Sequence, residues 1–243
     1  MASCLLGARS AAADAAQPVE GPPGLTAVAD RDLDTQRRLR FLVSRLEAGA
    51  PAAERWCSVW FYSWTALSTL QATLALSVSS PELRKDAAVG AAFSSLAPLQ
   101  FALFPFPARY GAAPLRHLPE ATPAQREEKL QRAERLLRAS AEAERRGRSW
   151  VPHVLSSTVS VGMGLLLAFA YHRPVTALVN GAAGIVLMQT QIWTQPTAAI
   201  TAWKSYEAGD HRYEPPTPLR IAAPRPRFSV APLGLGAAVV GEF

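Results

Sequence analysis

A pattern running from tryptophan to proline occurs twice in this chain, and each copy spans two long apolar runs without charge. In the first, Trp56 leads to Gly90-Ala91-Ala92, then Leu96, Gln100 and Pro105. In the second, Trp150 leads to Gly181-Ala182-Ala183, then Leu187, Gln191 and Pro196. From the glycine onward the copies keep one constant offset of 91 residues. Between Trp and Gly the second is three residues shorter, as a shorter loop would make it. A charged, helix-prone stretch precedes each copy. Self-similarity at this scale points to a duplicated structural unit, here a helical membrane hairpin.

Charge distribution carries the membrane argument. Asp, Glu, Lys and Arg make up 18% of the chain, yet none falls in 56–78, 87–107, 151–171 or 175–195. Each run has about 20 residues, the length that crosses roughly 30 Å of hydrocarbon. The alternative, a buried soluble bundle, needs a polar face on each helix. These runs offer only scattered Ser, Thr, Gln, Asn and His. Of 25 Lys and Arg, seven precede the first run, ten lie between the second and third, and five follow the fourth. Only Arg84, Lys85 and Arg173 occupy the two short loops. The positive-inside rule then puts both termini and the central linker in the cytoplasm, in a cell inner (plasma) membrane. The same distribution accounts for the net charge of +6 without nucleic acid, and no aromatic-interleaved basic patch is present.

The expected order is therefore a disordered tail over 1–30, an amphipathic helix over 31–52, a transmembrane hairpin over 53–107, a linker with a charged helix over 108–149, a second hairpin over 150–196, and a Pro/Arg-rich tail over 197–243. In the tail, Ala13-Asp14-Ala15 resembles a signal-peptidase site. Cys4-Leu5-Leu6 is too short for the apolar core of a signal peptide unless one begins upstream. Asp32 or Asp34 caps the first helix, Leu39, Leu42, Val43 and Leu46 form its stripe, and Gly49 with Pro51 ends it. The Asp30–Asp34 run lacks the glycine and distal glutamate of a calcium loop. Trp56, Trp60 and Trp64 share one face, as an interfacial or helix-packing stripe. Ser80-Pro81 opens the second membrane helix, Pro98 kinks it, and Pro105 and Pro107 stop it. Thr122-Pro123-Ala124-Gln125 is a capping box. After it, Glu128/Arg132, Glu134/Arg138, Glu142/Arg146 and Glu144/Arg148 are i, i+4 pairs with the acid first. Leu130, Ala133, Leu137 and Ala141 give that helix a thin stripe, for solvent, the membrane surface or a partner. Trp150 and Tyr171 bracket the third membrane helix, and Pro174 opens the fourth. A short stretch with Trp203 and Tyr206 continues along the membrane surface. Phe228–Phe243 reads as one apolar strand, too little for a β-barrel.

Catalytic chemistry is not evident. There is no phosphate-binding loop, paired-cysteine motif, nucleophile elbow or His pair at metal spacing, so no catalytic, cofactor-binding or metal-binding residue is assigned and no cofactor is expected. Cys4 and Cys57 form no disulfide framework. The candidate site is a polar layer. Gln100 and Gln191 each lie five residues before a helix-ending proline, roughly 8 Å inside the cytoplasmic boundary at about 1.5 Å per residue. Gln189 and His153 enter at a similar depth, so four side chains are expected to meet. The bland role for the layer is hydrogen bonding between helices. The expected function is a non-enzymatic scaffold or assembly subunit whose partners are the bilayer and a second copy or a membrane complex. An uncoupled small-solute channel is the alternative, and an enzyme using His153 as base has the least support.

Overall fold

The computed structural model of the protein describes residues 23–212, 227–233 and 236–242. The N-terminal tail through residue 22, with Cys4, and the Pro/Arg-rich stretch 213–226 lie outside the described residues. One helix, α1 (Pro23–Ser77), carries the chain from the charged N-terminal region through the first apolar run. Its 55 residues span about 80 Å at 1.5 Å per residue. Two expectations are corrected here. The helix starts upstream of Asp32 and Asp34, so residues 23–30 are helical and neither aspartate caps it. Asp32 instead accepts from Gln36 and, twice at 2.8 Å, from Arg126. Nor do Gly49 and Pro51 end the helix. An internal proline removes one amide donor and crowds the preceding turn, at a cost of about 3 kcal/mol. Contacts from the rest of the fold hold the segment helical through it. Ala53 is buried, Gly49 lies on Ala198, and Ala50 is packed against Gly111. Gly111 has φ +53°, and a Cβ there would stand 2.8 Å from that of Ala50. The position needs glycine on both counts.

The N-terminal half of α1 packs with α4 (Pro123–Gly147) and α7 (Ala198–Glu207). Leu39, Leu42 and Leu46 meet Leu130, Ala133, Leu137 and Ala141 in one core, which Ala199, Ala202 and Tyr206 close from α7. Each fully buried Leu contributes about 1.5–3 kcal/mol. The thin stripe on α4 thus finds its partner within the chain. The capping box forms as expected, with Thr122 and Gln125 bonding reciprocally. The Trp203–Tyr206 stretch is not a direct continuation of the preceding apolar helix α6 (Pro174–Trp193). The chain breaks at Thr194–Thr197 and α7 turns into the bundle core.

The remaining helices are α2 (Pro81–Ser94), α3 (Leu96–Leu103), α5 (Trp150–Leu165) and α6 (Pro174–Trp193). α2 opens on Ser80, whose hydroxyl accepts from the Leu83 amide. The break at Ser95 is the expected work of Pro98, which offers no N–H to the Ser94 carbonyl and crowds it. α5 continues as a π turn over Leu166–Ala170. A turn through His172, at φ 56°, then delivers Pro174 as the first residue of α6. Val89, Met163, Leu167 and Ala177 form a second, smaller core between α2, α5 and α6. Two stretches, Trp150–Ala170 and Pro174–Glu207, are long and apolar enough to cross a membrane. At the C-terminus Arg227–Leu233 and Gly236–Glu242 pair antiparallel, Arg227 opposite Glu242. The single expected strand is thus two, and they are added to an otherwise helical chain.

Candidate functional site

The tryptophan stripe organises the centre of the molecule. Three residues spaced four apart project from one face of α1, and all three indoles donate to the C-terminal end of α6. Trp56 reaches the Gln191 carbonyl at 3.2 Å and the Thr194 hydroxyl at 3.3 Å. Trp60 reaches the same hydroxyl at 3.1 Å. Trp64, which is buried, donates to the Gln191 side-chain oxygen at 2.7 Å. The stripe is therefore a helix-packing device.

The four residues of the expected polar layer do not converge. Gln191 is buried and faces α1 through Trp64. His153 and Gln189 form a separate pair between α5 and α6, with the imidazole Nδ1 bonded to the amide oxygen. The Gln189 amide nitrogen donates to the His153 carbonyl and the Ser157 hydroxyl, each at 3.3 Å. Gln100 is exposed and shares only a cleft with Gln191. Side chains at one depth but on different helix faces point in different directions.

Two spaces adjoin this arrangement. A chamber of about 170 Å³ lies among α1, α2, α5 and α6, with Gln71, Ser94, Ser160 and Asn180 as its polar lining. Ser94 donates to Gln71 at 2.8 Å and accepts from Ser68 at 3.0 Å. Gly90 and Gly184 let the walls close in. A Cβ on Gly90 would stand 2.7 Å from the Gln71 amide nitrogen, and one on Gly184 2.9 Å from the Ser160 hydroxyl. Sequence reasoning missed Gln71 and Asn180, although an amide in the middle of an apolar run is the signal that finds them. The second space is a cleft of about 560 Å³ where α3, α5 and α6 meet the end of α4. Trp64 lines the chamber and Gln191 lines the cleft, so their hydrogen bond stands between the two.

Below the cleft is a buried carboxylate. Glu144 accepts from the Ile200 amide at 2.9 Å, in the first turn of α7. A negative group at a helix N-terminus meets both free N–H groups and the positive end of the dipole. Burial pushes the Glu144 carboxyl above its ordinary range, against the opposing pull of the Ile200 and Ala199 amides and of Arg148. Gln195 bonds the Glu144 carbonyl, and Arg148 donates to the Gln195 carbonyl at 2.9 Å. Gly147 leaves room for this, since its Cβ would collide with the Gln195 amide. Higher in the bundle Arg38 donates to Glu134 at 2.6 Å and to the Tyr206 hydroxyl, which itself donates to Glu134. Every one of these groups is occupied by another part of the fold, and they act as joints between helices. Comparison with known proteins finds no family model, curated protein or solved structure that matches this chain.

Proposed function

We propose that the protein is a four-span membrane scaffold that holds a helical bundle rigidly at the cytoplasmic face. The observation that carries this reading is α1 itself. It runs unbroken from the bundle core into the apolar region, and its tryptophans fasten α6 to it. A linker between membrane and bundle would let the bundle swing, whereas a continuous helix transmits its orientation. The extension from two apolar stretches to four is supported by where the apolar side chains point. Strongly exposed large apolar residues occur all along α2, α3, α5, α6 and the second half of α1, among them Leu70, Leu76, Leu103, Phe169 and Leu178. In the bundle only Val28, Leu33 and Tyr110 among the described residues are comparably exposed. An apolar exterior of this extent requires a cover.

The paired arrangement reads as two tandem hairpins in the same orientation. Each of Gly90 and Gly181 abuts the preceding helix of its own copy, at Gln71 and at Ser160. Arg173, which opens α6, pairs with Glu82 at 2.6 Å and Asp86 at 2.9 Å on α2, so the two copies also meet at the starts of their second helices. A second reading, an uncoupled pathway for a small neutral solute, is favoured by the uncharged polar chamber around Gln71 and Asn180. Stopped-flow swelling of vesicles containing the full chain separates the two. The scaffold reading expects urea and glycerol to enter no faster than into protein-free vesicles. Entry that is faster with protein, and that changes on Gln71→Leu, would replace it with the pathway.

A further inference from the structure

The cleft at the junction of membrane and bundle is built of two unlike parts. Trp56, Phe101, Phe104 and Phe106 make one wall apolar and aromatic, Pro152 closes the opposite side, and Arg146 comes from the end of α4. Arg146 was expected to pair with Glu142, one turn earlier. Glu142 is instead taken by Arg138 at 2.9 Å, and Glu144 is turned away to the Ile200 amide. Among the described residues no carboxylate forms an ion pair with Arg146. The apolar wall continues outward into exposed side chains on both banks, Leu99 and Leu103 on α3 and Val151 and Val154 on α5. The space thus offers one cation, the amides of Gln100, Gln191 and Gln195, and an apolar aromatic wall, matching an anionic headgroup with its polar linkage above an acyl chain.

We propose that this cleft is a binding site for one anionic phospholipid, with the phosphate on Arg146 and a chain lying along Phe101 and Phe104 between α3 and α5. A guanidinium is suited to the group because it presents several donors to phosphate oxygens at once. The proposal rests on the membrane reading above. Native mass spectrometry of the full chain, released from neutral detergent with equal phosphatidylglycerol and phosphatidylcholine, tests it. The expected result is one retained phosphatidylglycerol, favoured by about tenfold over phosphatidylcholine, as one charge-assisted contact provides. Arg146→Gln should abolish the preference, and Ala143→Phe, which fills the apolar part, should abolish retention. Arg132→Gln, on the same helix but several turns from the cleft and paired with Glu128, should change neither. Equal retention of the two lipids by the unaltered chain, or an unchanged preference in Arg146→Gln, overturns the site. Displacement of the lipid by millimolar inorganic phosphate would make it an anion site and overturn the lipid assignment. Failure of the membrane reading looks different, since then neither lipid is retained by any variant.

Discussion

Glu144 shows how far a single side chain can depart from its local pattern. By spacing it belongs to an i, i+4 pair with Arg148 on a solvated helix. In the fold it is buried and caps α7, and Arg148 serves the Gln195 carbonyl. Of the four acid-first pairs on α4, the Glu128–Arg132 pair forms at 3.3 Å. Glu134 goes to Arg38 and Glu142 to Arg138. Local pairing is worth only about 0.2–0.5 kcal/mol, so any tertiary partner of better geometry wins. The carboxyl of Glu144 also makes stability depend on pH with a defined sign. Its folded-state pKa is raised above the ordinary 4.5. The folded protein therefore binds the proton more tightly than the unfolded chain, and stability falls as pH rises from the ordinary value through the raised one. Glu144→Gln keeps the shape without the titration. Thermal midpoints measured in one detergent from pH 4 upward should show the parent chain losing ground to Glu144→Gln as pH rises through that window. A parent advantage that grows with pH would mean that the charge is stabilising and the capping bonds outweigh burial.

At the scale of elements, the legible features were those set by short-range chemistry. The Ser80 and Thr122 caps, the proline starts of α2, α4 and α6, and the break before Pro98 all follow from backbone donors present or missing within one turn. The stop expected at Gly49–Pro51 failed because contacts with Ala198 and Gly111, distant in sequence, hold that turn in place. The polar layer was half legible for a similar reason. Depth along a helix follows from residue count, but which face each side chain presents depends on how the helices rotate against their neighbours. The tryptophan stripe gives the resulting prediction. Trp64→Phe leaves the buried Gln191 oxygen without its donor, a cost of about 1–3 kcal/mol. Gln191→Leu removes the stranded group as well, and in a membrane one such bond averages about 0.6 kcal/mol. The double variant Trp64→Phe/Gln191→Leu should therefore be less destabilised than the sum of the singles in detergent melts, while Gln100→Leu, at an exposed position, should be near neutral. Strict additivity of the two singles would show that the indole and the amide do not act on each other.

For the whole molecule, the chain builds two kinds of exterior. The bundle buries Leu and Phe41 and exposes Arg and Glu, whereas the second half of α1 with α2, α3, α5 and α6 exposes large apolar side chains and buries Ser94, Ser156, Ser160 and Gln191 beside its small apolar core. Hydrophobic burial drives the first arrangement, while the second is held by close packing, as at Gly90 and Gly184, and by hydrogen bonds such as Ser68–Ser94, the pattern that suits association in hydrocarbon. Orientation would follow from charge: on the proposed four-span topology 22 of the 25 Lys and Arg belong to the side that carries the bundle, and Arg84, Lys85 and Arg173 to the opposite loops. Arg173 is itself neutralised by Glu82 and Asp86, so the loop side presents still less free positive charge than the count implies. Moving the arginine-rich α4 across a bilayer would oppose the positive-inside bias. A cysteine at Ser79, in the exposed turn between α1 and α2, should react with a membrane-impermeant maleimide added to intact cells. One at Ala139, exposed on α4, should react only after the cells are opened. Cys57 is buried and contributes little background, and Cys4 is replaced by Ser in both variants so that it contributes none. Labelling of Ala139→Cys in intact cells would invert the protein in the membrane, and labelling of both positions would mean that the apolar helices do not span it.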